Sequence, residues 1–357
     1  MNGRIAKYTE IADWLRKNIR SNNFKAGEKL MSEHALCDMF ATSRHTVRAA
    51  IAALEKECLV VRKQGSGTYI NPDIYSGRKN IGVLLTYSYD YTFSDMLTGI
   101  DAVLSSHNHL ITLALTHNKV ETERNQLLSL LAADVDGLIV EAVKSALASP
   151  NIEVYKDFAD RNIPVVFVNA YHSRLDCNYI VNDDVKGACI ATDYLINNGH
   201  YKIGGIFNHS STQGSLRYEG FVSKLYEKNL TLDESCILWY SDESLNALFS
   251  DEQLPQLAKA LSNCTAVLCY SDKVAHMLIE AAQKIGLKIP EDLSVASFDN
   301  SFLSRLITPS ITTITHPGVE MGKLAAESLL KIIENPGHRI KYVYDPKLIV
   351  RNSVRGL

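Results

Sequence analysis

From residue 80 onward the chain repeats one pattern, a short apolar β-branched run followed by a stretch with helical spacing. IGVLLT precedes 94–106, LITLAL precedes 120–132, and DGLIVEA precedes a helix ending at 161. PVVFVNA and NYIVNDD lead into 185–198, KIGGIF into 215–229, and TAVLCYS into 272–286. LSVASFDN, ITTITHP, a helix over 318–335 and a closing KLIVRNSV complete the series. Strands apolar on both faces and separated by helices require a parallel sheet covered on both sides. Roughly nine strand–helix units are too many for one small sheet, so the pattern predicts two α/β lobes with a cleft between them. The length of 357 residues agrees, since one core seldom serves beyond about 250–300.

The first 70 residues obey a different rule. A helix over 7–22 carries Ile11, Trp14, Leu15 and Ile19 on one side. A short helix over 33–40 has Ala35, Leu36, Met39 and Phe40 on one face, and Ala41-Thr42-Ser43 breaks it. Ser43 stands where an N-cap oxygen would accept an orphan backbone N–H. The next helix, 44–57, buries Val47, Ala50, Ile51 and Leu54 and presents Arg44, His45, Thr46 and Arg48 on its first turns. Helix, short turn and helix, with basic and hydroxyl groups opening the second, is how a recognition helix enters the major groove. An Arg there can bond a guanine edge twice, worth roughly 1–3 kcal/mol of discrimination. Two β-type runs, LVVRK and TYI, flank Gln64-Gly65-Ser66-Gly67 and read as a hairpin. Lys63 and Gln64 at its glycine tip suit a wing reaching phosphates or the minor groove. An ordinary surface hairpin is the plainer reading, but the helix pair before it favours the wing. Asn71 to Lys79, with Pro72, Ser76 and Gly77, has the character of a linker. The expected division is a head at 1–70, a linker at 71–79 and a body at 80–357.

Charge supports that division. The net charge of -3 hides a head with twelve Lys and Arg against seven Asp and Glu, while residues 71–357 hold 25 against 33. A basic module on an acidic body is the electrostatic footprint of nucleic-acid binding. The seven cysteines are scattered and form no CxxC, which argues against a disulfide framework or a zinc site. The N-terminus starts an amphipathic helix, and no run approaches about 20 apolar residues. The expectation is a soluble, cytoplasmic protein without metal or cofactor.

These runs carry two family resemblances. YTEIADWLRKNI…SEHALCDMFATSRHTVRAAIAALEKECLVVRKQGSGTYI resembles the winged helix-turn-helix of the GntR family, with SRHTVR and GSGT as its specific parts. One departure is Met31, where that family usually has proline before the Ser-Glu that opens the second helix. The resemblance implies operator-DNA contacts from Lys7, Glu33, Arg44, Arg48, Gln64 and Gly67, with Ser43, His45 and Thr46 nearby. GHYKIGGIF, RYEGF, TAVLCYSD, IPEDLSVASFDN, TTITHP and IVRNS are similar to the LacI-type effector domain, itself akin to periplasmic sugar-binding proteins. The pairing of such a head with such a body resembles arabinose-responsive repressors. It implies a homodimer on a pseudo-palindromic operator, released by a monosaccharide, with L-arabinose the sugar implied.

In open α/β lobes ligands bind beyond the carboxyl ends of strands. Glu141, Asn169, Ser271, Asp272 and Asp299 fall at such ends, and Arg217 lies one turn into a helix. Arg and carboxylates can bond adjacent sugar hydroxyls in pairs, and Tyr91 and Phe93, in the loop after the first strand, offer aromatic faces. The LacI-type resemblance points first to Arg217 and Asp299, then to Asn169, Ser271 and His316. Plainer readings stand beside these. Asp299-Asn300 would cap a turn, His316 before Pro317 would be a hinge residue, and Asp272 reads as a helix N-cap and is set aside. Lys144 reads as a solvated lysine. No GxSxG, HExxH or P-loop appears, so no catalytic residue is expected. A glycosidase would need two paired carboxylates and leaves the head unexplained. The remaining rivals are a regulator answering another sugar or sugar phosphate, and a sugar-binding protein whose head contacts a protein.

Overall fold

The computed structural model describes residues 7–20, 23–72, 78–87 and 91–357, with the side chains of Arg20 and Tyr91 outside that set. Two compact units divide the chain at Arg78/Lys79. Residues 73–77 of the expected linker, and 21–22 of the expected first helix, lie outside the described residues.

The first unit comprises α1 (Lys7–Arg20), α2 (Glu33–Phe40), α3 (Arg44–Lys56), β1 (Val60–Lys63) and β2 (Gly67–Ile70). Ser32 caps α2 by accepting from the Ala35 N–H at 3.1 Å, and α2 stops where Ala41 turns left-handed, φ 44°. Ser43 then caps α3 through the Thr46 N–H at 3.3 Å. Two caps around a left-handed residue fix the angle between the helices. Ile11, Leu15, Leu36, Val47, Ile51, Leu54, Val60 and Ile70 form one buried core. Met31, in the place of the usual proline, packs partly buried against it. Met39, expected inward, is half exposed at 51 %. β1 and β2 pair antiparallel, Val60 opposite Ile70 and Lys63 opposite Gly67.

The second unit begins with β3 (Asn80–Leu85), α4 (Tyr91–Ser106), β4 (Leu110–Leu115), α5 (Val120–Ala132), β5 (Gly137–Val140), α6 (Ile152–Asp160), β6 (Val165–Val168) and β7 (Asn178–Asn182). There follow α7 (Asp184–Asn197), β8 (Ile203–Asn208), α8 (Thr212–Glu227), β9 (Ile237–Tyr240), α9 (Leu245–Leu248), α10 (Leu254–Leu261) and β10 (Ala266–Cys269). Last come α11 (Asp272–Lys284), β11 (Ser294–Asp299), α12 (Leu303–Leu306), β12 (Thr312–Thr315), α13 (Gly318–Glu334), β13 (Lys341–Tyr344) and β14 (Leu348–Ile349).

Among the described residues these strands form two six-stranded sheets, ordered β13-β7-β6-β5-β3-β4 in lobe 1 and β14-β12-β11-β10-β8-β9 in lobe 2. Neighbouring strands run parallel except β14 against β12. The chain passes between lobes at 182–184, 315–318 and 344–348, because α13 returns to pack on α4 and β13 joins β7. Gly99 on α4 and Gly322 on α13 permit this, since a Cβ on either would run into backbone of the other helix. Sequence periodicity missed β9 and β13: β13, KYVY, is largely exposed and so shows no continuous apolar run. In each sheet the strand order reverses, between β3 and β5 and between β8 and β10. Both switch points open on the carboxyl ends of the strands, where open α/β sheets hold ligands.

Candidate functional site

The cleft between the lobes encloses a cavity of about 130 Å3, lined from both switch points. Its anchor is Arg217, one and a half turns into α8 and nearly fully buried. The guanidinium lies between the rings of Tyr270 and Phe298, 4.7 and 4.2 Å from their centroids. Nε donates to Asp184 at 2.7 Å, Nη1 donates to the Tyr270 carbonyl, and Nη2 stands 3.7 Å from Asp299 Oδ1. Burial alone would weaken the guanidinium's hold on its proton, but Asp184 and Asp299 outweigh it and raise the pKa. Asp299 is held facing in by an unusual backbone: φ is 106° at Asp299 and 51° at Asn300, left-handed conformations that side chains tolerate only when their surroundings insist.

Lobe 1 supplies a polar chain. Thr86 Oγ1 donates to Glu141 at 2.6 Å, Asn169 Nδ2 donates to Glu141 at 2.8 Å, and His316 Nε2 meets Asn169 Oδ1 at 2.8 Å. Since Asn169 presents its oxygen, His316 Nε2 is the donor. His316 sits on an interlobe crossing, and burial with the nearby Arg217 charge pushes its pKa down to about 4. It is neutral at neutral pH. A glutamate, an amide, an imidazole and a buried fork of arginine are the donors and acceptors that a polyhydroxylated molecule needs.

A third group closes the cleft on one side. Asp242, just after β9, accepts from Asn118 of lobe 1 and from Asn208 at 2.9 Å. Beside it Lys144 bonds Glu243 at 2.6 Å, and that pairing holds the Glu243 carboxyl down at about 2.

The structure brings Arg217, Asp299, Asn169, Ser271, His316 and Glu141 to one cavity. It removes Phe93, which lies in α4 rather than a loop and packs against the lobe 1 core. Its neighbour Thr92 lines the cavity in its place. The Tyr91 side chain falls outside the described residues. Asp272 is not the cap of α11: Ser271 is, accepting from the Val274 N–H at 3.3 Å. Asp272 is buried instead, accepting from Ser301 N–H at 2.7 Å and from the hydroxyls of Ser297 and Ser301. Lys144, read as solvated, lines the cleft and is paired. Sequence reasoning missed Thr86, Asn118, Asp242 and Tyr270. Tyr270 was signalled, as it directly precedes Ser271 at a strand end; Asp242 was not, because its strand went unseen. Among the described residues no cluster of three His, Cys, Asp or Glu could hold a metal, and no helix is long and apolar enough to cross a membrane.

In the first unit, Ser43, Arg44, His45 and Arg48 are exposed at the start of α3, with Thr46 half-buried. Glu33 of α2 accepts both contacts from Arg48 Nε, at 2.9 and 3.0 Å, so α2 aims an α3 side chain. Lys7 Nζ reaches the Ala41 carbonyl in the turn at 3.3 Å. Gln64 and Gly67 are exposed at the hairpin tip, where Gly67 has φ 122° and lies against the Lys29 stem.

A helix-turn-helix head and a two-lobed body with a polar cleft define a ligand-responsive transcription regulator. Residues 7–70 match the bacterial regulatory proteins of the gntR family, and residues 192–354 match the periplasmic binding protein-like domain. The arabinose metabolism transcriptional repressor of Halalkalibacterium halodurans is 36 % identical over 97 % of this chain and 96 % of its own length. The repressor of the same description from Geobacillus stearothermophilus is 34 % identical over 98 % of both. Among solved structures, a periplasmic binding protein/LacI transcriptional regulator of Alkaliphilus metalliredigens, complexed with D-xylulofuranose, superposes with TM-score 0.68 and 27 % identity over 77 % of this chain and 99 % of its own. The chain belongs to the family of arabinose metabolism transcriptional repressors. It is a sugar-responsive repressor of transcription, a regulator by descent and architecture.

Proposed function

We propose that this protein works in the bacterial cytoplasm as a homodimer that represses from a pseudo-palindromic operator and is released by L-arabinose. On this reading residues 1–70 are the DNA-binding head, 71–79 the linker and 80–357 the effector and dimerisation domain. α3 lies in the major groove with Arg44, His45, Thr46 and Arg48 toward bases and phosphates, and the Gln64–Gly67 tip reaches the backbone or minor groove. The sugar lies between Arg217, Asp299 and Ser271 of lobe 2 and Glu141, Asn169 and His316 near lobe 1, so binding it favours one arrangement of the lobes. A ligand shifts operator affinity only through its different affinities for two states, and a cleft lined from both lobes supplies that difference.

The observation that carries this reading is Arg217, a guanidinium buried between two rings with carboxylates from both sides, opening on a cavity at both switch points. The five-carbon sugar in the Alkaliphilus neighbour supports a pentose-sized occupant. Calorimetry of the full chain against a panel of free pentoses and hexoses tests it. L-arabinose is expected to bind alone or most tightly and to lower operator affinity in fluorescence anisotropy. Binding of a different sugar would keep the regulator and replace its effector, while silence across the panel would overturn the cleft assignment.

A further inference from the structure

Lobe 1 contains a second cavity of about 480 Å3, larger than the effector cleft. It opens at the amino ends of β5, β6 and β7, the edge of the sheet opposite the cleft. α6 forms one side and the last turn of α13 the other. Tyr155 and Phe167 give it an aromatic wall, and Ile163, Leu175, Ile332 and Ile333 an aliphatic one. Apolar walls with a few convergent polar groups are the usual make-up of small-molecule sites, at volumes of about 300–1,000 Å3.

The charges at its rim are unequal. Asp136 is held by the Lys79 ammonium at 3.3 Å and the Asn80 N–H at 2.7 Å. Asp176 is held by Lys341 at 2.9 Å. Both carboxylates are thus matched by lysines that do not line the cavity. Lys156 on the opposite side is matched by Glu153 at 2.8 Å. Arg174 lines the cavity, is exposed, and forms no ion pair among the described residues. Arg339 donates to the carbonyls of Pro336 and His338 and makes no ion pair among the described residues; the carboxylate that feels its charge, Asp176, is already paired with Lys341. Two guanidiniums over an apolar basin favour a molecule that is acidic at one end and apolar at the other.

We propose that this cavity is a second ligand site, taking a small organic anion with an apolar ring body, its acidic group held by Arg174 and Arg339. The ring lies against Tyr155 and Phe167, out of water. The site is separate from the sugar cleft and shares no lining residue with it.

The test titrates the full chain with 1-anilinonaphthalene-8-sulfonate, an aromatic sulfonate whose fluorescence rises on leaving water. One saturable site per chain is expected, unchanged by saturating L-arabinose. Ala159→Trp, at an exposed position of α6 on the cavity wall, is expected to weaken binding more than about tenfold by filling the space. Arg174→Glu with Arg339→Glu is expected to weaken it at least about tenfold, the worth of one charge-assisted hydrogen bond. These two positions are exposed, so the pair decides the matter should Ala159→Trp not fold. Absence of saturable binding, displacement of the dye by L-arabinose, or undiminished affinity in both variants would overturn the proposal. Equal affinity for the uncharged N-phenyl-1-naphthylamine would overturn its anionic part.

Discussion

Burying a guanidinium is costly unless its charge and its N–H groups are matched, and Arg217 has both a carboxylate at 2.7 Å and two flanking rings. Arg217→Ala leaves Asp184 buried without its partner and is expected to cost about 3–5 kcal/mol of stability, read as a lowered denaturant midpoint. Arg217→Lys keeps the charge and loses the fork and the stacking. It is expected to hold operator affinity while weakening sugar binding about tenfold or more in calorimetry; unchanged sugar affinity would remove Arg217 from the site. His316 gives a pH signature. Its folded pKa of about 4 lies below the unfolded value of 6.5, so the native state binds fewer protons. The stability that neutral His316 contributes is complete above about pH 6.5 and lost as pH falls toward 4. Melting temperatures from pH 7 to pH 4 should fall more steeply in the wild type than in His316→Gln. Asp299 could be picked out because strand ends in an alternating chain are legible, whereas Arg217, inside a helix, was singled out by the LacI-type resemblance. The cap of α11, read from the sequence as Asp272, belongs to Ser271, since either residue can cap a helix and only the fold shows that the Asp272 carboxylate has three other donors waiting. Phe93 failed because a helix began three residues earlier than its periodicity indicated.

At the scale of elements, the turn after β9 reaches across to lobe 1. Lys144 and Glu243 form a partly exposed pair, and such pairs are worth about 0.2–1 kcal/mol. Lys144→Ala is therefore expected to shift sugar affinity by at most about fivefold, much less than a change at Arg217. With the Glu243 carboxyl at about 2, against 4.5 unpaired, the contact is complete above about pH 4.5 and lost as pH falls toward 2. A sugar affinity that Lys144→Ala abolishes would make Lys144 a ligand contact rather than a link between lobes. Periodicity missed this element: β9, ILWY, is an apolar run of only four residues with no helical stretch of clear periodicity directly after it. α3 was legible to within a residue, since both Ser43 and the 47-50-51-54 spacing are local signals. Its Arg48, aimed by Glu33, is the residue whose loss should tell most on DNA. Arg48→Ala is expected to weaken operator binding while sugar binding stays intact; loss of both would mean that the variant disturbs more than the head.

For the molecule as a whole, the alternation of strands and helices already demanded two covered parallel sheets, and the basic head on an acidic body already separated two tasks. What periodicity could not show was that α13 and β13 return to lobe 1 after lobe 2 is built, giving three crossings between lobes. Those crossings carry the site: Asp184 and His316 stand at two of them, in contact with or beside Arg217. A sugar held there acts on the same backbone that sets the lobes relative to one another. If that motion is what releases DNA, the coupling must be reciprocal: the factor by which sugar weakens operator binding equals the factor by which operator weakens sugar binding. Anisotropy with labelled operator at saturating and zero L-arabinose gives the first factor, and calorimetry of the sugar against free and operator-bound protein gives the second. Both belong at one salt concentration, because operator affinity that rests on phosphate contacts falls steeply with salt. The expected factor is about 5–150-fold, the range of about 1–3 kcal/mol of coupling. Equal factors, with the sugar concentration that releases operator rising in an Arg217→Lys protein in step with its weakened sugar affinity, would place the coupling at this cleft. Operator release by L-arabinose without a matching loss of sugar affinity on DNA would mean that the sugar acts by another route.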